Sequence, residues 1–439
     1  MTMSKKLSSR FFNSLLFIFI FLIPWQSRWI YKEILLDGQI WQYGRLSLYA
    51  SMIVLLLAAV ALGLYHREQW QLSKHKWWYF LFLYALVLVL SEPWPILGFY
   101  YLLFIFGTIL FIFLAQFAKK KNILWAILLS GLVQSILAIY QSITQNISAN
   151  KWLGIAAQLA QNRGVSVLES GELRILRAYG SLPHPNILAG FLALTILVGL
   201  YLWHDVYVQS EKLNWQIKKI KKYSISVCLI IFSLVLMSFA QLATFSRSAL
   251  LALLCCLLFI LIFSVIKKDK LTFYVVIKYF IIMLLVAWAF NMYYPNLWAS
   301  RFDLGNRLEA KSIQDRQLTY SQLDWRNPKD IIFGQGLGLN TYQAYQKYQA
   351  SSIDEVQPIH NWFILALAEV GLVGVVIFLA LLYFYLKKIL WNKNNYKVWN
   401  AAFILLLIFL GLFDHYLWTS WTGWLMVGVV VAIIYHNKE

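Results

Sequence analysis

Long apolar blocks separated by short polar breaks run along almost the whole chain, and their length decides what they are. A helix needs about 20 consecutive apolar residues to cross the hydrocarbon of a bilayer. Blocks of that order fall near 11–30, 45–65, 77–92, 96–118, 123–143, 186–204, 223–243, 247–266, 272–292, 361–386, 398–413 and 416–435. The pattern therefore predicts an all-α, polytopic membrane protein with about twelve transmembrane helices. Pro24 interrupts the first block, and Asp414 with His415 separates the last two. Lys5, Lys6 and Arg10 precede the first block, but no small-residue cleavage site follows it, so it reads as an uncleaved span.

Composition agrees with the pattern. Hydrophobic residues make up 61% of 439 and charged residues 13%, against about 25% charged in a soluble domain. A β-barrel would show alternating segments of ~10 residues instead. The net charge of +19 is mainly a topology signal. Lys119, Lys120 and Lys121, the Lys218–Lys222 cluster, Lys267, Lys268 and Lys270, and Lys387 with Lys388 all fall on one face of the twelve-span arrangement. The positive-inside rule makes that face cytoplasmic, with both termini. Nucleic-acid binding is not needed to explain the charge. Cys228, Cys255 and Cys256 lie inside expected spans and form no disulfide framework or metal spacing.

On this topology two long polar segments are extracytoplasmic, near 144–185 and at 293–360. They divide the chain into 1–292 with nine spans, the loop 293–360 before the tenth span, and 361–439 with the last three. Neither segment is long enough for an independent core, so both are expected to pack on helix ends. Residues 306–326 have helical composition and end at Asn327-Pro328, a stop signal. Gly334, Gly336 and Gly338 alternate after it; with no P-loop Lys and no βαβ context they read as a turn.

The polar residues gather at that outer face. Arg301, Arg307, Arg316 and Arg326 lie in the long loop, Arg177 precedes a span, and Arg247 sits in Thr244-Phe245-Ser246-Arg247 at a tight junction of two spans. Guanidinium stays charged and grips phosphate through paired hydrogen bonds, so such a set could hold a diphosphate leaving group. The plain alternatives are snorkelling, or pairing with Asp303, Glu309 and Asp324. His360 opens a span directly after the loop, and an imidazole near its ordinary pKa suits a general base. His184, between Pro183 and Pro185, serves equally as a helix cap. Glu369 lies ~13 Å along the helix that His360 begins, half a turn out of phase with it. It reads as an internal anchor. Most of the Trp and Tyr reads as interfacial belt, with sugar stacking by Trp298, Trp325 or Tyr342 as the alternative.

These residues line up with a known family. Arg177 through His184-Pro185-Asn186-x-Leu188-Ala189, Thr244-x-Ser246-Arg247-x-Ala249, Asp315-Arg316, Phe333-Gly334-x-Gly336-x-Gly338, and Pro358-x-His360-Asn361 with Glu369-x-Gly371-x-x-Gly374 occur in this order. The order resembles the O-antigen ligase and O-antigen polymerase superfamily over about 175–390. The resemblance implies a metal-independent, inverting glycosyl transfer, without a cofactor, at the outer face of the bacterial inner membrane. The donor would be a glycan on undecaprenyl diphosphate, the acceptor lipid A–core or another lipid-linked glycan, and the partners other polysaccharide-assembly proteins. By motif, His360 looks like the base and Arg247 and Arg316 like catalytic arginines. Arg177, His184, Asn361 and Gly336 are the substrate-binding candidates. Protein O-glycosylation by an oligosaccharyltransferase is one alternative. A lipid-linked glycan flippase is another, but it would concentrate charge near the bilayer midplane. Lys278 and Glu369 are the exceptions in spans otherwise nearly free of charge.

Overall fold

The computed structural model describes residues 3–65, 86, 89–90, 94–162, 164–170, 173–211, 217–295, 297–301, 307–323, 325–348, 356–390 and 396–436. It is mostly helical. Seven of the described helices are long and apolar enough to cross a membrane: Pro95–Ala115, Lys120–Thr144, Pro185–Gln209, Ser224–Ala243, Arg247–Ile266, Lys270–Tyr293 and Trp362–Ala380. Four shorter apolar helices accompany them, Ser9–Phe21, Ala50–Leu64, Lys397–Phe413 and Trp421–His436. The expected span at 77–92 falls almost wholly outside the described residues.

In chain order the elements are α1 (Met3–Phe21), β1 (Arg28–Leu36), β2 (Gln39–Tyr49), α2 (Ala50–Tyr65), α3 (Pro95–Ala115) and α4 (Lys120–Thr144). The segment after α4 holds β3 (Asn146–Ile147), β4 (Gln158–Leu159), β5 (Val167–Ser170) and β6 (Leu173–Leu176). Then come α5 (Pro185–Glu211), α6 (Ile217–Ala243), α7 (Arg247–Ile266) and α8 (Lys270–Tyr293). Among its described residues the long loop holds four short helices, α9 (Leu297–Ser300), α10 (Arg307–Tyr320), α11 (Pro328–Phe333) and α12 (Asn340–Tyr348). The chain closes with α13 (Trp362–Leu390), α14 (Lys397–Phe413), α15 (Tyr416–Thr419) and α16 (Trp421–His436).

The centre of the bundle is α5. Every residue from Ile187 to His204 is buried, because α5 packs on α4, α6, α7, α8, α14 and α16. A helix apolar on all sides belongs in such a position.

Three small antiparallel hairpins correct the all-α expectation outside the helices: β1 with β2, β3 with β4, and β5 with β6. The first also cuts short the span expected at 11–30. Pro24 has no N–H to continue a helix, α1 ends at Phe21, and the chain turns into β1 at Arg28. Asp37 (φ 48) and Gly38 (φ 77) supply the two positive-φ residues of the hairpin turn, the Asp-Gly signature of a tight β-connection. One face of the hairpin buries Ile34, Leu36, Trp41 and Leu46, while Trp29, Tyr31 and Leu35 stay exposed. The segment after α4 gathers a small separate core of Ile147, Ala160, Val167, Leu176 and Tyr179.

The helix expected over 306–326 ends at Tyr320. Asn327-Pro328 begins a helix as well as barring one: the Asn327 side chain accepts from Lys329 N–H at 3.1 Å and Pro328 sits at the first position of α11.

The long loop docks on a break in α13. Gly371 adopts φ 65 and ψ 178 inside that helix, a conformation almost confined to glycine. The break leaves carbonyls without helical partners, and the glycine turn takes them: Gln335 N–H donates to Ala368 O at 2.7 Å and Gly336 N–H to Glu369 O at 3.0 Å. A Cβ at Gly371 would lie 2.4 Å from Ile332 O and 2.5 Å from Gly334 N. Gly371→Ala is expected to lower stability by on the order of 2 kcal/mol or more. Gly164→Ala carries a positive φ into open space and should cost about 1 kcal/mol. Thermal melting of the detergent-solubilised variants measures the gap; equal midpoints would mean that the break in α13 does not hold the loop.

Candidate functional site

The site grows from the first turn of α5. His184 precedes Pro185, and its Nδ1 accepts the N–H of Asn186 at 3.1 Å, satisfying a donor that a helix start leaves free. That bond leaves the proton on Nε2, which lies 3.0 Å from Ser166 Oγ. Asn186 then makes the central contact. Its Oδ1 accepts from Arg177 Nη2 at 2.8 Å, and its Nδ2 donates to Asp414 Oδ2 at 3.0 Å. Arg177 is only 7% exposed, and its Nε donates to Thr244 O at 2.7 Å. Its guanidinium is thus turned inward, tying the end of β6 to the α6–α7 junction and to α5.

Asp414 ends α14. One carboxylate oxygen takes the Asn186 amide and the other accepts His415 N–H at 2.8 Å. The His415 ring is held by Thr419 Oγ1, 2.8 Å from Nδ1, while Nε2 lies 4.0 Å from Asp414 Oδ1. It meets His360 edge to face, with ring centroids 5.1 Å apart and planes at 82°. Tyr43 of β2 closes the other side, its ring 6.1 Å from His415 and its hydroxyl donating to Gln357 Oε1 at 3.3 Å. His360 is half-buried, and its N–H donates to Thr319 Oγ1 of α10 at 3.4 Å. Its Nδ1 is buried and makes no well-formed hydrogen bond, although the Pro358 carbonyl acts on the ring.

Burial and charge set the protonation of this cluster. Burial pushes His360 below its ordinary value; Asp414 opposes the shift and Arg316 adds to it. Burial likewise takes His415 down to about 4, against the pull of Asp414. His184 is lowered by burial and by Arg177. Burial alone would raise Asp414, but His415, His360, His184 and the Asn186 amide outweigh it and hold the carboxyl below the usual range. The site at neutral pH is therefore a carboxylate surrounded by neutral imidazoles. Among the described residues no three His, Cys, Asp or Glu side chains are arranged to hold a metal ion.

The structure brings His360 and His184 around Asp414, with Arg177 joined to it through Asn186. Arg316, half-buried on α10, is close enough to act on the His360 ring. Arg247 stands at the neighbouring α6–α7 junction, where its Nη1 donates to Arg301 O and Arg301 Nε donates to Phe245 O at 3.1 Å. Arg307 pairs with Glu169 at 3.4 Å, joining the two polar segments. Asp303 and Asp324 lie outside the described residues.

Asn361 and Gly336 are committed to the scaffold. Asn361 Oδ1 caps α13 by accepting from Phe363 N–H and Ile364 N–H, and its Nδ2 donates to Leu412 O at 3.2 Å. Gly336 is buried in the turn on α13. Glu369 accepts from Gly338 N–H at 2.9 Å and from Trp418 Nε1 at 2.7 Å, so it anchors the glycine turn to α15.

In the sequence Asp414 and His415 mark only the break between two spans. A charged residue interrupting an apolar run is itself a functional pointer, and that signal was available. Tyr43 carried no such signal, since nothing local brings residue 43 next to residue 415.

The O-antigen ligase family matches residues 232–379. The matched stretch runs from within α6 into α13 and includes Arg247, Arg316, His360, Asn361 and Glu369. The match suggests a glycosyltransferase-type enzyme, and the apolar helices a membrane protein. The match supports placing the chain in the O-antigen ligase superfamily. No curated protein matches the chain.

Two outcomes follow for stability. Asn186→Ala removes the bridge between a buried carboxylate and a buried guanidinium and should cost on the order of 2–3 kcal/mol, read as a fall in thermal midpoint. An unfolded imidazole titrates near 6.5, whereas His184, His360 and His415 are held lower in the fold. The unfolded chain thus binds more protons below ~6.5, and stability should fall as pH drops from there toward 4. His415→Phe should flatten that slope; a midpoint independent of pH between 7 and 5 would contradict the burial of these rings.

Proposed function

We propose that this protein is a membrane glycosyltransferase that moves a glycan from undecaprenyl diphosphate to an acceptor hydroxyl at the outer face of the bacterial inner membrane. The observation that carries the reading is the place of His360. It stands at the start of α13, half-buried between Arg316 on one side and the Asp414–His415 pair on the other, inside the stretch that matches the O-antigen ligase family.

The chemistry follows from that setting. His360, neutral at pH 7, takes the proton of the acceptor hydroxyl as its oxygen attacks the anomeric carbon. The bond from that carbon to the diphosphate oxygen breaks, and its electron pair leaves with the diphosphate. An in-line displacement of this kind inverts the anomeric centre. Arg316 and Arg247 neutralise the departing charge. Arg177 is turned inward and acts behind the site, through Asn186 and Asp414. The acceptor is lipid A–core in a ligase or another lipid-linked glycan in a polymerase, the bilayer delivers both lipids, and other polysaccharide-assembly proteins are the partners in the membrane.

His360→Ala is expected to abolish glycan transfer in a deletion strain while the protein is still made and folded. Near wild-type transfer would remove His360 from its role. Arg316→Lys and Arg247→Lys should each reduce transfer at least tenfold, because lysine cannot make the paired contact to a phosphate. A gel of surface glycans from the deletion strain separates the acceptors: loss of all polymer on lipid A indicates a ligase, and single capped repeats a polymerase.

A further inference from the structure

His360 is poorly equipped, taken alone, to accept a proton. It is half-buried, and the cation of Arg316 stands on its loop side. An imidazolium formed there needs a negative charge nearby, and the first such group the fold offers is Asp414. This carboxylate is 7% exposed and is fixed from two directions, by Asn186 Nδ2 at 3.0 Å and by His415 N–H at 2.8 Å. The His415 ring, clamped by Thr419, lies 4.0 Å from this carboxylate and packs edge to face on His360.

We propose that Asp414 is a positioning carboxylate of the site, whose fixed charge stabilises the imidazolium that His360 becomes, with the His415 ring as a neutral spacer that keeps water from screening it. This rests on the reading of His360 as the base. The proton passes from the acceptor oxygen to His360 and stays there; no bond to Asp414 forms, and the carboxylate acts through its field. Among the described residues, the charged and titratable groups that enter the balance are Asp315 and Arg316 from α10, Asp414 and His415 from the α14–α15 connection, His184 from the start of α5, and Tyr43 from β2 beyond His415. Asp414 is the one among them that is both buried and anionic. It also explains the inward Arg177. Through Asn186 the guanidinium supports the carboxylate, holding the amide that donates to it.

The test reads His360 itself, by NMR titration of ¹⁵N-histidine-labelled full-length protein in detergent micelles, with His360→Ala to assign its signal. Asp414→Asn keeps the size of the side chain and removes the charge. It is expected to lower the His360 pKa by at least about half a unit, because a carboxylate favours the protonated ring. His415→Phe keeps a neutral ring in the same place and should leave the value unchanged. His415→Lys leaves Asp414 and its Asn186 bond in place but sets a cation against them. It should lower the pKa as Asp414→Asn does, and it serves if Asp414→Asn does not fold. An unchanged pKa in Asp414→Asn or in His415→Lys overturns the proposal, as does a fall in His415→Phe. The base assignment fails separately, by persistence of surface polymer with His360→Ala, so the two failures are distinguishable.

Discussion

A carboxylate at the end of an apolar bundle has to be held by something, and the way Asp414 is held organises the end of this molecule where the site lies. Its two oxygens are shared between the amide of Asn186 on the central helix and the backbone of His415. Asn186 in turn engages Arg177, and Arg177 engages the carbonyl at the α6–α7 junction. Three parts of the chain that are far apart in sequence, around 177–186, 244 and 414–415, meet in this relay of charge-assisted hydrogen bonds, each roughly twice as strong as a neutral one. The relay is rooted at the half-buried first turn of α5, just before the stretch Ile187 to His204 that is buried throughout, and low water access there strengthens each bond.

The long polar loop is fixed by a second device of the same kind. α13 breaks at Gly371, and the carbonyls freed by the break receive the N–H groups of the glycine turn. Glu369, buried in the helix, completes the join by accepting from Gly338 and from the Trp418 indole. The turn read from the three alternating glycines is the footing of the loop. This footing fixes the start of α13, where Asn361 caps the helix and His360 stands beside the histidine of the next connection. Loop and bundle therefore form one unit, and His360, the proposed base, stands at the seam between them.

The N-terminal hairpin adds a third boundary. Trp41 donates to Thr341, Tyr345 donates to Asp37, and Tyr43 reaches Gln357 and the ring of His415. A segment that precedes the second helix thus walls the region where the loop returns to the membrane. It lies outside the stretch matched by the O-antigen ligase family, as do Arg177, Asn186, Asp414 and His415. The framework of the site is therefore built largely from residues beyond that match, while His360 and Arg316 lie within it.

By itself the sequence determined the helical membrane class, the places of most spans and the polar residues worth watching. These follow from local chemistry: an apolar block of ~20 residues has few fates other than a spanning helix, and Arg or His at a helix end is visible where it stands. His360 and Arg316 were legible for that reason. The Asp-Gly turn of the hairpin was equally local and could have been read. What Arg177 faces was not legible, because its guanidinium is oriented by Asn186 and Thr244, nine and 67 residues away. The pairing of His360 with Asp414 and His415 was not legible either. Those residues come together only when α13, α14 and α5 pack, and no periodicity within one segment records which helix ends will meet. Tertiary structure alone decided which charged groups face a substrate and which hold one another, because hydrogen bonds between distant segments exist only once packing has excluded water from them.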